Sequence, residues 1–204
     1  MLNSMNQSSA TPVIQLTDKD ALIIVDVQKD FLERGSLPVP DSSQIIAVLN
    51  GYIELFASHG LSVFATRDWH PLKHCSFQEQ GGPWPEHCVQ YTEGAAFAEG
   101  LHLPDSLTVI SKGTGPDTDA YSGFQGTGLE RQLQALHIER LFVGGLALDV
   151  CVLNTVMDAL INGYQVFVLE DASQAVNVKP DDGDKAVAEM QHAGARFITL
   201  SQLT

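Results

Sequence analysis

Apolar residues in this chain gather into short unbroken runs, separated by longer stretches in which they recur every three or four positions. Ala21–Asp26, Leu61–Thr66, Leu107–Ser111 and Arg140–Gly145 are runs rich in β-branched and aromatic residues. Runs of that kind suit strands covered on both faces of a parallel sheet. Gln165–Glu170 and Arg196–Leu200 predict two more strands, and Ser43–His59, Leu129–Leu136, Asn154–Ile161 and Asp184–Ala193 carry a helical period. This alternation predicts right-handed βαβ units and therefore an α/β fold, with a doubly wound, mostly parallel central sheet and helices on both faces. Residues 1–20 are polar and lack both a charged n-region and an apolar h-region. They read as an N-terminal extension to a single domain spanning 21–204.

Ligands of open parallel sheets bind beyond the carboxyl ends of the strands, and three of the predicted ends carry reactive side chains. Asp26 closes the first run and is placed to act as a half-buried base. Lys112 follows Leu107–Ser111. Cys151 lies past Arg140–Gly145, where the apolar run gives way through glycines to a helical period, a strand-to-helix elbow. A thiol near the positive end of a helix is biased toward thiolate. Unpaired amides of a first helical turn can also face a developing oxyanion. Each residue alone has an ordinary reading: an inert buried cysteine, an aspartate capping a turn, a surface lysine. Together they form a more specific set.

A second cluster follows Leu61–Thr66, in Arg67-Asp68-Trp-His70-Pro-Leu-Lys-His74 and Gly81-Gly-Pro-Trp84-Pro-Glu-His87-Cys88. Asp and His at an interval of two, with more His downstream, can hold a divalent ion, although the spacing is not a standard zinc motif. The other reading is a polar loop whose histidines satisfy turn backbone. Three ligands would leave positions open for water or substrate. The stretch from Pro71 to Pro104 is too long for a plain connection and reads as the wall and lid of a site. Gly115–Gly123 has turn composition but not the spacing or lysine of a phosphate loop.

These residues carry a family resemblance. The chain resembles the nicotinamidase (pyrazinamidase) branch of the isochorismatase-like cysteine hydrolases. The matching segments are Val25-Asp-Val-Gln-Lys-Asp-Phe31, Gly35-Ser-Leu37, Thr66-Arg-Asp-Trp-His-Pro71, Trp84-Pro-Glu-His-Cys88, Lys112-Gly, Ala120-Tyr-Ser-Gly-Phe124 and Gly145-Leu-Ala-Leu-Asp-Val-Cys-Val152. The resemblance implies an isochorismatase-like hydrolase fold, a catalytic triad of Asp26, Lys112 and Cys151, and an oxyanion hole from the Ala147 and Cys151 amides beside a cis peptide at Leu146–Ala147. It implies that Asp68, His70 and His87 hold one divalent metal ion, with His74 matching a histidine that is a direct ligand in some members. Zinc is the expected ion, with iron and manganese as alternatives. Phe31 and Trp84 match aromatic residues that sandwich a pyridine ring. The activity implied is deamidation of nicotinamide to nicotinic acid and ammonia, and of pyrazinamide to pyrazinoic acid, in NAD salvage, through a Cys151 thioester.

Two positions depart from the family pattern. Leu148 stands where Thr is frequent, so Asp149 is expected to supply the capping oxygen of the elbow. Lys29 stands where Asn is frequent and is expected to face outward at the rim. Composition adds exclusions. Eleven basic against 25 acidic residues give a net charge of −14, which disfavours nucleic acid and anionic membranes and mildly favours neutral nicotinamide over an anionic substrate. Three cysteines argue for a reducing, cytoplasmic setting, with Cys75 and Cys88 as packing residues. No apolar segment approaches membrane-spanning length. A homo-oligomer is the family's habit. The competing readings are a hydrolase of the same fold acting on isochorismate or another small amide or carbamoyl compound, and a non-catalytic scaffold; the scaffold has no use for Asp26, Lys112 and Cys151 together.

Overall fold

A computed structural model describes residues 13–204. Six strands form one sheet: β1 (Asp20–Val25), β2 (Ser62–Asp68), β3 (Thr108–Lys112), β4 (Arg140–Leu146), β5 (Gln165–Gln174) and β6 (Arg196–Ile198). Their order is β3-β2-β1-β4-β5-β6 and every neighbouring pair is parallel. The four helices are α1 (Ile45–Ser58), α2 (Leu129–Ala135), α3 (Leu153–Ile161) and α4 (Asp182–Ala193). The expected doubly wound α/β architecture is therefore present, and parallel throughout.

Two cores lie on the two faces of the sheet. Leu22 and Ile24 of β1 point to the α1 face, where Leu49, Tyr52, Ile53 and Phe56 cover them together with Phe142 and Phe167. Ala21, Ile23 and Val25 point the other way, under Leu129 and Leu133 of α2, Val156 of α3 and Met190 of α4. All six residues of β1 are buried, which is why its sequence lacks polar alternation. Among the described residues, no helix is long and apolar enough to cross a membrane.

Boundaries differ from the sequence reading where polar residues interrupt a strand or a cap ends it. β5 continues past Glu170 to Gln174. The ladder bulges there, since Val143 faces Val168 while Gly145 faces Ser173. Tyr52 donates to Asp171 Oδ1 at 2.7 Å inside the bulged stretch. β6 stops at Ile198 because Thr199 and Gln202 close a capping box on a 3-10 turn. Of the polar N-terminal stretch, residues 1–12 lie outside the described residues. Ile14 pairs with the C-terminal end, donating to Gln202 O at 2.7 Å and accepting from Thr204 N at 3.1 Å.

One glycine is required by the central strand pair. Gly145 of β4 has φ +130°, and a Cβ there would stand 2.2 Å from Val25 O of β1. Gly145→Ala is expected to lower stability by roughly 3 kcal/mol or more through steric overlap and backbone strain. Gly60→Ala, at φ +68° with open space around it, should cost only about 1 kcal/mol. Urea denaturation of the two variants checks the contrast.

Candidate active site

The switch in strand order between β1 and β4 opens a crevice at the carboxyl edge of the sheet, and four strand ends deliver the reactive side chains. Asp26 follows β1 in a left-handed conformation, φ +49°. Asp68 and Lys112 are the last residues of β2 and β3 and are paired in the ladder. Cys151 sits in a π-helical turn, Leu148–Val152, between β4 and α3. Thus the elbow predicted from the sequence exists, but its first turn is wider than an α-helix.

Lys112 lies at the centre and is only 1% exposed. Its ammonium is 2.8 Å from Asp26 Oδ2, donates to Asp68 Oδ1 and to Ala120 O at 3.2 Å, and lies 3.6 Å from Cys151 Sγ. Thr66 Oγ donates to Asp26 Oδ1 at 2.7 Å. Asp26 Oδ2 receives no well-directed hydrogen bond, and one carboxylate oxygen of Asp26 lies in a cluster of ligand atoms within 4.8 Å of one another with Asp68 and Cys151. Burial works against the charge on Lys112, but Asp26, Asp68 and the Cys151 sulfur outweigh it and hold the amine well above its usual pKa. Burial pushes Asp26 up, opposed by the Lys112 ammonium and the Thr66 hydroxyl.

The thiol departs from expectation. Burial, with Asp26 and Asp68 nearby, pushes Cys151 well above its usual pKa despite Lys112. The helix end that was expected to lower it is outweighed by desolvation of the sulfur and by two carboxylates. A thiol shifted in that direction is helped to ionise by a neighbouring base. Asp26, a raised carboxylate beside it, is suited to exchange that proton.

Across Lys112 stands the second cluster. Donor atoms of Asp68, His70 and His87 all lie within 4.8 Å of one another. Asp68 Oδ2 is 3.6 Å from His70 Nε2 and 3.8 Å from His87 Nε2. Two ligands bound at about 2.1 Å in tetrahedral array would stand about 3.4 Å apart, so the set is close to a bound geometry. The outer nitrogens are fixed: His70 Nδ1 donates to Gly113 O at 2.9 Å and His87 Nδ1 to Pro85 O at 2.7 Å. Both Nε2 lone pairs then face Asp68, as metal-binding imidazoles require. Burial lowers His70, but Asp68 more than offsets it and raises the ring; at His87 burial prevails and the pKa falls.

His74 stands outside this set. It stacks on His70 with centroids 4.0 Å apart. Its Nε2 donates to Thr118 O at 3.2 Å, and its Nδ1 accepts from Ser76 Oγ at 2.7 Å.

The cavity above these groups is walled by Phe31, Trp84 and Tyr121 and closed by Leu37, Val39, Val150 and Val176. Trp84 Nε1 donates to Tyr121 Oη at 3.1 Å. The Leu146–Ala147 peptide is cis. Among the described residues, the Ala147 amide donates to no turn, loop or side-chain acceptor. Asp149 does not cap the elbow: its carboxylate accepts from Val176 N and Asn177 N, both at 2.8 Å, and ties the π turn to the β5–α4 loop. Lys29 is turned from the cavity onto Glu93 and Glu99, at 3.1 and 2.6 Å. Cys88 is buried in the α1-side core. Thr66, Ala120 and Tyr121 were assigned no role from sequence. Each lies in a segment that carries the family resemblance, Thr66-Arg-Asp-Trp-His-Pro71 or Ala120-Tyr-Ser-Gly-Phe124.

A family model described as Isochorismatase domain matches residues 20–202. The nicotinamidase of Escherichia coli is 40% identical over 202 residues, covering 89% of this chain and 95% of that protein. The structure of the pyrazinamidase of Pyrococcus horikoshii in complex with zinc shares 45% identity at a TM-score of 0.85, covering 89% and 99% of the two chains. The structure of a protein from L. infantum in complex with nicotinate shares 38% identity, also at 0.85, covering 94% and 98%.

Gly113, directly after Lys112, gives a test of the histidine geometry. It has φ +59°, and a Cβ would meet His70 Cε1 at 2.5 Å and Nδ1 at 2.6 Å. Gly113→Ala is expected to shift the His70 ring and weaken any divalent-ion binding at this cluster by about 10–100-fold, measured by competition with a chelator. Unchanged affinity in a folded variant would mean that His70 is not held as described.

Proposed function

The chain belongs to the isochorismatase family, and on that premise we propose that it is a cysteine amidohydrolase converting nicotinamide to nicotinic acid and ammonia, and pyrazinamide to pyrazinoic acid. One observation carries the reading: the buried Lys112 ammonium joins Asp26 and Cys151 on one side to Asp68 of a carboxylate–imidazole cluster on the other. Both sides open onto one cavity with aromatic walls. A ring nitrogen and a carboxamide on the same flat substrate match those two halves.

In this reading Asp26 Oδ2 takes the Cys151 proton as the sulfur attacks the carboxamide carbon. The carbonyl oxygen gains the charge and is received by the Ala147 and Cys151 amides. Asp26 then gives its proton to the departing nitrogen, ammonia leaves, and the carbonyl re-forms as a thioester. Water attacks that carbon while Asp26 accepts its proton, and the acid leaves as the sulfur is released and reprotonated. Lys112 remains an ammonium throughout and limits the charge that accumulates on Asp26 and the sulfur. Phe31 and Trp84 hold the ring and exclude water. Asp68, His70 and His87 would hold the divalent ion, zinc by preference, which would supply a Lewis-acid contact for the ring nitrogen and so fix its orientation. The same reading places the reaction in cytoplasmic NAD salvage.

The test is ammonia release from nicotinamide by zinc-loaded, thiol-reduced protein, with benzamide as the ring analogue lacking the nitrogen. Turnover of nicotinamide is expected to exceed that of benzamide by at least about 10²-fold and to be lost on chelation. Cys151→Ala should lose essentially all turnover while still binding nicotinamide. Ammonia release by that variant at the wild-type rate would exclude the thioester route. No release from any sample would remove nicotinamide and point to another small amide or carbamoyl substrate.

A further inference from the structure

The segment Val27-Gln-Lys-Asp-Phe31 contributes Phe31 to the cavity, yet Gln28, which does not line that cavity, is its most completely bonded side chain. Gln28 is fully buried. Its Oε1 accepts from Asp68 N at 2.8 Å. Its Nε2 donates to Asp68 O at 2.8 Å and to Ala95 O at 2.9 Å. The bonds to Asp68 grip the residue from both sides of its Cα, as a neighbouring strand would. β1 has ended at Val25 and the left-handed Asp26 has turned the chain away, so a side-chain amide continues the pairing that the β1 backbone no longer supplies. The bond to Ala95 anchors a segment that also pairs with residues 27–30, through Ala98 N to Val27 O, Lys29 N to Ala96 O and Asp30 N to Gly94 O. Two residues on, Asp30 Oδ2 accepts at 2.7 Å from Cys88 N, the amide directly after His87. Its carboxylate fills the space that a Cβ on Gly94 would need.

We propose that Gln28, with Asp30 beside it, is a positioning residue for the divalent-ion site. Gln28 fixes the Asp68 backbone, so that one carboxylate oxygen meets Lys112 while the other faces His70 and His87; Asp30 fixes the backbone that carries His87. The inference rests on the metal reading given above. At position 28 only a carboxamide offers one acceptor and two donors at once. A glutamate would turn a carboxylate oxygen toward the carbonyls of Asp68 and Ala95, and a methionine would leave three buried backbone groups without partners.

The experiment measures zinc affinity by chelator competition, with thermal melting alongside, for wild type, Gln28→Glu, Gln28→Met and Asp30→Ala. Lys29→Ala, whose amine pairs with Glu93 and Glu99, is the control. Affinity is expected to fall about 10–100-fold in the Gln28 variants and in Asp30→Ala, and to stay at the wild-type value in Lys29→Ala. Gln28 variants that melt lower yet bind zinc as tightly as wild type would overturn the proposal and leave Gln28 a residue of the fold alone. If neither Gln28 variant folds, Asp30→Ala decides: a tenfold loss supports the frame and an unchanged affinity overturns it. A wild-type protein without a tightly bound divalent ion would overturn the metal reading and the proposal together, and is distinguished because the wild type itself fails.

Discussion

A lysine ammonium taken out of water costs several kcal/mol unless anions and hydrogen-bond acceptors surround it, and Lys112 is surrounded by Asp26, Asp68, the Ala120 carbonyl and the Cys151 sulfur. The requirement runs in both directions. Without the ammonium, two buried carboxylates and a sulfur would face one another in a site that excludes water. With it, Asp68 stays well below the usual carboxylate range against the pull of burial, while Asp26 is raised. Two carboxylates flanking one cation thus differ in character, Asp68 held toward the anion and Asp26 shifted toward its protonated form.

The fold supplies that arrangement through register. Parallel pairing of β2 with β3 sets Asp68 opposite Lys112, and pairing of β1 with β4 brings the turn after Val25 beside the elbow that carries Cys151. Gly145 lets those two strands approach. Side chains then finish what the backbone begins. Thr66 aims Asp26, Gln28 holds Asp68, and Asp149 ties the π turn to the wall carrying Val176. A one-residue slip of β3 would turn Lys112 to the opposite face of the sheet and break the site at its centre.

Much of this could be read from the sequence, and what could not has a physical reason. Unbroken apolar runs mark the central strands β1, β2 and β4, because burial on both faces leaves a compositional trace, which is weaker in the partly exposed edge strands β3 and β6. The ends of those runs identified Asp26, Lys112 and Cys151 as residues that converge at one edge of the sheet. Periodicity records which face a residue takes, however, and says nothing of which distant group it bonds. Gln28 grips a residue forty positions away, and the carboxylate shared between Lys112 and the histidines was read as belonging to the second cluster alone. The direction of the Cys151 shift was missed because proximity to a helix end is legible locally, whereas desolvation by the whole fold is not. The bulge in β5 and the role of Asp149 were hidden for the same reason: both depend on contacts across strands.

The central claim is that one buried ammonium keeps the thiol of Cys151 within reach of ionisation. It is tested most directly by the pH dependence of Cys151 alkylation in wild type and in Lys112→Met, with the modified cysteine identified by peptide mapping. Loss of an opposite charge 3.6 Å from the sulfur should raise the alkylation midpoint by at least about one pH unit and slow the reaction at neutral pH. An unchanged midpoint in a folded variant would contradict the account, because Lys112 would then be a structural counterion with no hold on the nucleophile.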